Sequence, residues 1–455
     1  MKSAEGGPLL VPAADLREIR AGRRIRRAIK PYLNRIENAA QLHSPDPNVR
    51  RAAATRLARE GGADIIPALR KALGEETHWL GRHAIEEAIA LIRLKDERPP
   101  IRWAAAERLG AIRAVNAATE LRRLAGGVRG QAGDPDAAVR GAAAQAVEKI
   151  ENHKSRAFLI NTLFRGLSLG SILLLMALGL AVVFGLMGVF NMAHGELMML
   201  GAYATFFIQG LFLAYIPQSY FGFYFLLALP AAFTVSAAAG FVIEVAIIRH
   251  LYGRPLETLL TTWGISLILQ QAVRQFFGAQ NVDVKSPSWL SGGYHAMIGV
   301  QFPYNRLFIV GLTVCCVIGT YFYLFRTRQG LRIRAVMQNR GMSTCLGVAS
   351  RRVDAWTFAL GAGLAGLAGA ALSQVGNVGP DLGQNYIVDS FMVVVTGGVG
   401  KIMGAIVAGL GIGSLTKVLE PATGAVFGKV VILLLVILFL QKRPEGLFAI
   451  RTRGA

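Results

Sequence analysis

GLSLGSILLLMALGLAVVFGLM, residues 166–187, is the stretch on which the reading of the chain turns. From Gly166 to Gly195 there is no Asp, Glu, Lys or Arg. About 20 consecutive apolar residues cross a bilayer as a helix, so this segment reads as a membrane span. A second uncharged run, Leu197 to Ile243, is long enough for two spans, with Ile216-Pro217 as the break. Further apolar segments lie at Thr258–Phe277, Leu307–Phe325, Thr357–Gln374, Met403–Val418 and Ala425–Gln441. Ile387–Gly398 is apolar but short, and either crosses at a tilt or re-enters. The sequence therefore predicts an all-α, polytopic membrane protein of eight or nine spans.

Composition points the same way. Of 455 residues, 53% are hydrophobic and 17% charged, with a mean hydropathy of +0.43. Soluble domains carry about 25% charged residues. Cys315, Cys316 and Cys345 cannot build a disulfide framework, and none stands in a CxxC or Cys/His zinc pattern. Fibrous, disordered and disulfide-rich classes are excluded. No enzyme signature is present. GGVGK at Lys401 and VFGKV at Lys429 lack the spacing and Ser/Thr of a phosphate-binding loop, and no HExxH, GxSxG or paired-carboxylate pattern occurs. No catalytic residue, cofactor or metal ligand is expected.

Charge is uneven along the chain. Residues 1–160 hold 29 Lys+Arg and 19 Asp+Glu, and no apolar stretch there could span a bilayer. MKSAEGGPLL has no apolar signal-peptide core, an expectation that disfavours an external N-terminal part. Three segments share a pattern: SPDPNVRRAAATRLA (Ser44–Ala58), RPPIRWAAAERLGAI (Arg98–Ile112) and GDPDAAVRGAAAQAVEKI (Gly133–Ile150). Each places Pro or Asp-Pro at a helix start, then an apolar-Arg pair and an Ala cluster. Asp and Pro suit a first turn, where backbone N–H groups lack partners. GGADIIPALRKALGEE (Gly61–Glu76) reads as the partner helix of one pair. The array resembles degenerate HEAT repeats; a plain helical bundle is the alternative. The expected organisation is a basic helical segment over 1–43, HEAT-like repeats over 44–155 and a membrane domain over 156–455. GRRIRRAIK (Gly22–Lys30) reads as a solvated helix face, and without interleaved aromatics no nucleic-acid partner is expected.

Seven Arg and no acid between Arg326 and Arg352 mark a cytoplasmic loop. Arg249–Glu257 and Lys442–Arg453 fall on the same side. Gln280–Arg306 is then external, with Trp289, Tyr294 and Tyr304 as interface anchors. Nine crossings put the N-terminal part outside, and eight put it inside.

Polar residues within apolar surroundings are the translocation-path candidates. NMAHGE brings Asn191, His194 and Glu196 beside the bend-permitting Gly195. Either a broken helix exposes them to a path, or His194 and Glu196 merely pair and cap the next helix. Glu244 and Arg249 read as a salt bridge at the cytoplasmic edge. QVGNVGPDLGQNYIVDS (Gln374–Ser390) suits an external mouth, where Asn377, Gln384, Asn385 and Asp389 could meet a polar solute. Gly363, Gly366 and Gly369, with the GxxxG pair Gly409 and Gly413, read as helix-packing sites.

GLMGVFNMAHGELMMLGAY (Gly185–Tyr203) resembles the opening signature of the membrane permeases of branched-chain amino acid and related ABC importers. The resemblance continues through RPLETLLTTWGISLILQQAVRQFFGAQNVDV (Arg254–Val284) and TRQGLRIRAVMQNRGMSTCLGV (Thr327–Val348). It covers GAGLAGLAGAALSQVGNVGPDLGQNYIVDSFMVVVTGGVG (Gly361–Gly400) and closes with QKRPEGLFA (Gln441–Ala449). Within that family GNVGPDLGQNYIVDSFMVVV, the Leu-Glu-Pro at Glu420 and the N-terminal extension look most like urea-type permease subunits. The resemblance implies an inner-membrane subunit working with a second homologous permease, two ABC ATPases that bind the ATP, and a periplasmic solute-binding protein that delivers the solute. It implies an external N-terminal extension. It also makes Arg334–Gly347 the ATPase-coupling segment, with Arg334, Val336, Met337, Gln338, Asn339, Leu346 and Gly347 as its residues. The expected form is one short amphipathic helix presenting Val336, Met337 and Leu346. Gly341, Ser343 and Cys345 depart from the better helix formers usual there, and Lys401 stands where Asn is usual. The leading function is an ATP-driven urea permease. The alternatives are a branched-chain amino acid or short-amide permease, and a passive channel or membrane scaffold whose repeats recruit proteins.

Overall fold

The computed structural model describes residues 23–126, 133–188 and 190–448. Residues 1–22 of the basic N-terminal segment lie outside the described residues. Seventeen α-helices and one two-stranded sheet make up the described fold. The chain divides into two compact units, Met1–Arg156 and Ala157–Ala455.

The first unit is HEAT-like. It contains α1 (Arg23–Gln41), α2 (Pro47–Glu60), α3 (Ile66–Glu75), α4 (Trp79–Arg93), α5 (Pro99–Ala111), α6 (Ala118–Leu124) and the first turns of α7 (Ala137–Met187). The Ala clusters are buried: Ala53 and Ala54 of α2, Ala105 and Ala106 of α5, Ala143 and Ala146 of α7. Their small side chains let partner helices approach, with Leu57, Ile85, Leu109 and Leu121 filling the core between them.

One arginine recurs at the fourth position of each repeat's first helix. Arg50 Nη1 donates to the Ser44 and Pro45 carbonyls, Arg102 Nη1 to those of Asp96 and Glu97, and Arg140 Nη1 to those of Asp134 and Pro135. Each guanidinium thus ties its helix to the linker before it. Two of them also hold a carboxylate: Arg50 pairs with Glu76 at 2.7 Å, and Arg102 with Asp134 at 2.7 Å. The apolar-Arg pair seen in sequence is the mark of this tie.

The second unit contains the rest of α7, then α8 (His194–Tyr215), α9 (Tyr224–Ala246), α10 (Pro255–Phe277), β1 (Gly293–Met297), β2 (Val300–Pro303) and α11 (Tyr304–Arg326). It continues with α12 (Arg328–Gln338), α13 (Arg340–Cys345), α14 (Ser350–Leu372), α15 (Leu382–Gly397), α16 (Ile402–Thr423) and α17 (Ala425–Lys442). Among the described residues seven helical segments are long and apolar enough to cross a membrane; these include α8, α11, α14, α16 and α17. The chain is a multi-pass membrane protein. The remaining two expected segments are also helical, but α15 has only 16 residues and α10 is diluted by polar side chains. The break expected at Ile216-Pro217 is there: α8 ends at Tyr215 and a short 3-10 turn leads into α9. The stretch between α10 and α11 forms a hairpin, with β1 and β2 antiparallel and Tyr294 opposite Phe302.

Glycine sets how closely the helices approach. A Cβ at Gly201 of α8 would collide with the Gly366 carbonyl of α14, and one at Gly369 with the Met198 carbonyl. Gly363 faces the Phe233 ring of α9, and Gly366 also faces Ser236. On the other side Gly413 of α16 lies against Gly170 of α7, and Gly409 against Leu174. Such backbone approach replaces the hydrophobic effect as the packing force inside lipid.

The Arg102 guanidinium, by its hydrogen bonds, holds the Asp134 carboxyl below the usual aspartate range, and Arg50 does the same for Glu76. A carboxyl depressed by folding stabilises above its unfolded pKa, and that stability is lost as pH falls toward the folded value. Amide exchange over 99–124 in the full chain should therefore accelerate below about pH 4. Asp134→Asn should accelerate it already at neutral pH and flatten the acid response. An unchanged exchange profile in this variant would show that the pair contributes nothing to the repeat.

Candidate functional site

Helix α8 begins inside the membrane unit. His194, its first residue, lies against Gly179 of α7, and Gly179 in turn lies against Gly361 of α14. Gly361 is eleven residues into α14, about 16 Å along the helix. The start of α8 therefore sits near the half-way depth of a hydrocarbon core about 30 Å thick. The non-helical backbone before it needs hydrogen-bond partners there, since lipid supplies none. Asn191 Oδ1 accepts from Ala193 N at 3.0 Å, and Thr262 Oγ1 accepts from Met192 N at 3.1 Å.

The two side chains of the first turn do not pair with each other. His194 Nε2 lies 3.3 Å from the Met176 carbonyl. Glu196 Oε1 accepts from Ser266 Oγ at 3.0 Å and from Gln270 Nε2 at 2.8 Å. Both residues are fully buried. Glu196 Oε2, His194 Nδ1 and Asn191 Nδ2 have no partner within the described protein. The broken helix is present, and its polar groups turn inward, toward α10 and α7.

The residues that serve Glu196 lie on a single polar stripe of α10. Thr258, Thr262, Ser266 and Gln270 recur every four residues along α10, and all are buried. Leu256, Leu260, Trp263 and Ile268 on the other faces are exposed. This helix is inside-out: polar toward the protein and apolar toward lipid. A period of four in Thr/Ser/Gln within an apolar segment was the signal.

A second helix starts beside the first. Gly383, in the first turn of α15, packs backbone to backbone against Gly195. Two helix N-termini, each the positive end of its dipole, therefore meet next to Glu196. The candidates Asn377, Gln384 and Asn385 are exposed on this stretch. Asp389 is occupied, in an ion pair with Lys429 of α17 at 2.9 Å. The stretch is tied to the loop after α10 by Val282 and Val378, which exchange hydrogen bonds of 2.8 and 2.9 Å, and to α10 itself by Arg274–Asp381 at 2.6 Å. Beside Asn191 lies an apolar cavity of about 330 Å³. Phe184, Phe190 and Phe391 in its wall stack with centroids 4.4 to 5.9 Å apart. A deep polar site fixed by hydrogen bonds thus adjoins a cavity walled by aromatic rings.

A family model described as "Branched-chain amino acid transport system / permease component" matches residues 162–440. The chain belongs to this permease family. A second model, "HEAT repeats", matches residues 33–90. The chain is 33% identical over 294 residues to the high-affinity branched-chain amino acid transport system permease protein BraD of Pseudomonas aeruginosa, covering 63% of this chain and 95% of that protein. It is 29% identical over 301 residues to the corresponding protein LivH of Escherichia coli, covering 64% and 95%. It is 27% identical over 294 residues to a probable branched-chain amino acid transport permease protein LivH of Methanocaldococcus jannaschii, covering 61% and 88%. No solved structure matches.

In this permease the segment Arg334–Gly347 is not one amphipathic helix. It is divided at Asn339, whose extended backbone ends α12 and whose Oδ1 accepts from Met342 N at 2.9 Å to cap α13. Gly341 therefore stands in a first turn, not in a helix interior. Gly347 closes α13 with φ +81. Val336 faces inward with Ile333, Leu324 and Val353, so it offers nothing to a partner. The exposed apolar set is Leu331, Met337, Met342 and Leu346; Gln338 and Asn339 are exposed beside it. Sequence reasoning also missed Arg340. It is ion-paired to buried Asp354 of α14, and its guanidinium lies 4.5 Å from the Tyr252 ring centroid. Glu244 and Arg249 do approach, at 3.6 Å.

Gln270→Leu removes one of the two donors to Glu196. Leaving a buried acceptor short of a partner costs on the order of 2 kcal/mol. The thermal midpoint of the purified permease should fall accordingly, while Leu267→Ala on the lipid-facing side should cost less. Equal midpoints for Gln270→Leu and the parent would remove Gln270 from the site.

Proposed function

We propose that this chain is a permease subunit of an ATP-driven ABC importer in a bacterial inner membrane, and that its solute is urea. The observation that carries the reading is the hydroxyl and amide stripe of α10 converging on Glu196. Urea is neutral and planar, with four N–H donors and one acceptor oxygen. Glu196 Oε2 would accept from it, Asn191 Nδ2 would donate to it, and no fixed charge pair is required. The repeat unit supports the same reading. The relatives span nearly their whole length in matching only the membrane part of this chain, whereas the sequence resemblance to urea-type permeases includes such an extension.

A branched-chain amino acid is the second reading. It is favoured by the names of the relatives, and by the two helix N-termini beside one carboxylate. Those groups would suit the two ends of a zwitterion.

In either case the work comes from elsewhere. Of two ATPase subunits one would dock on Leu331, Met337, Met342 and Leu346, a second permease would complete the path, and a binding protein would deliver solute outside. Asn161 Nδ2 donates to the Gly299 carbonyl at the hairpin tip. That hairpin precedes α11, whose other end carries the basic Arg326–Arg352 loop. With the basic loop inside, the membrane unit begins outside. This supports a periplasmic repeat unit.

The test is uptake by proteoliposomes holding the complete importer. Labelled urea should accumulate only with ATP, excess short amides should compete, and leucine should not; competition by leucine alone would assign the amino acid. Replacing Arg334–Gly347 with an unrelated soluble loop should abolish ATP-driven uptake while leaving membrane insertion intact. Accumulation by this chain without ATPase subunits would overturn the importer reading.

A further inference from the structure

A cavity of about 580 Å³ opens between α11, α12 and α16, apart from the polar site. α11 supplies Val317, Tyr321 and Phe325 to its wall, and α16 supplies Ile402 and Ile406. Arg334 and Lys401 are the only charged residues among those that line it. Neither is ion-paired among the described residues. Arg334 lies 5.0 Å from the Phe325 ring centroid, and its Nε has no hydrogen-bond partner.

Depth and chemistry together define an occupant. Lys401 immediately precedes α16, and Arg334 lies just beyond the C-terminal end of α11, beside the basic loop. Both cations therefore stand at the cytoplasmic end of the cavity. Val317 lies nine residues back from Arg326 along α11, about 13.5 Å at the rise of a helix. One hydrocarbon leaflet is about 15 Å deep. Ile318, Phe325 and Met403 on its rim are exposed on the face that meets lipid. The groove is thus charged at headgroup level and apolar for one leaflet's depth.

We propose that this groove binds an anionic phospholipid of the cytoplasmic leaflet, its phosphate held between Arg334 and Lys401 and an acyl chain laid against α11 and α16. Basic pockets between helices at that face have the charge to select such headgroups. Because Arg334 also opens the coupling segment, the lipid would brace α12 against α16. The proposal needs the membrane reading and the inside position of the basic loop, and is independent of which solute is carried.

Lipid titration of the full chain, read by native mass spectrometry, tests it with phosphatidylglycerol and phosphatidylcholine of identical acyl chains. The parent should prefer phosphatidylglycerol about thirtyfold, with each of Lys401→Asn and Arg334→Gln lowering the preference about fivefold, since each cation near a headgroup is worth roughly that factor. Unchanged elution and thermal midpoint in the variants establish that they fold. Arg328→Gln with Arg332→Gln, outside the cavity, should leave the preference intact. Glycerol phosphate should not displace the bound lipid. Equal retention of the two lipids by the parent would overturn the proposal. So would a preference lost equally in the Arg328/Arg332 variant, displacement by glycerol phosphate, or variants that lower the yield of the paired permeases without changing lipid retention.

Discussion

A helix that starts in the middle of a bilayer must bring its own solvent. Its first-turn N–H groups and the non-helical residues before it have no water to bond, and each orphaned group would cost several kcal/mol. The permease meets this at α8 with side chains from elsewhere: the Asn191 amide for Ala193, the Thr262 hydroxyl for Met192, and a carboxylate, Glu196, in the turn where the helix dipole favours one. Glu196 itself then has to be served, and Ser266 and Gln270 serve it. The polar stripe of α10 is the consequence. A helix carrying that stripe is too polar to face lipid on all sides, so it is held with the stripe against α8 and its Leu, Trp and Ile residues outward.

This arrangement tolerates little slack. α8, α9 and α14 touch at backbone distance through Gly201, Gly366 and Gly369, and α7 meets α16 through Gly170 and Gly413. Seams made of glycine carry no side chains that could adapt to a change of spacing. They permit sliding better than separation, since packed interiors shift between discrete arrangements and do not deform continuously. The meeting of α8 and α15 at Gly195 and Gly383 has the same character, and it lies directly beside the polar site.

Most of the fold was legible because it follows from composition over long windows. The uncharged runs gave the spans, Ile216-Pro217 gave the α8–α9 break, and the recurrence of a helix-start Pro, an apolar-Arg pair and an Ala cluster gave the repeats. The HEAT-like unit is confirmed both by its helix pairs and by the family match over residues 33–90. The site was legible only in part. Asn191, His194 and Glu196 stood out as polar residues in apolar surroundings, but their partners did not, because Ser266 and Gln270 are some seventy residues away and unremarkable one at a time. The segment Arg334–Gly347 misled for a local reason. Asn339 reads as a poor helix residue but is a good cap, and only the backbone decides that it ends one helix and starts another. Val336 misled because its neighbours in space, Leu324 and Val353, belong to other helices.

α14 is what joins the two ends of the molecule's chemistry. Near its start the buried Asp354 receives the exposed Arg340 from α13, so that segment is fastened to α14 by an ion pair. An isolated charge at that depth would be costly to leave behind, so α13 and α14 cannot part without that cost. Eleven residues from its first, Gly361 lies against α7 beside His194, and further on Gly366 and Gly369 seat α8 itself. α14 is therefore in contact both with α13 and with the helix that carries Glu196. One helix thus links α13 to the helix that carries Glu196 by two kinds of contact, a charge pair at one end and bare backbone at the other.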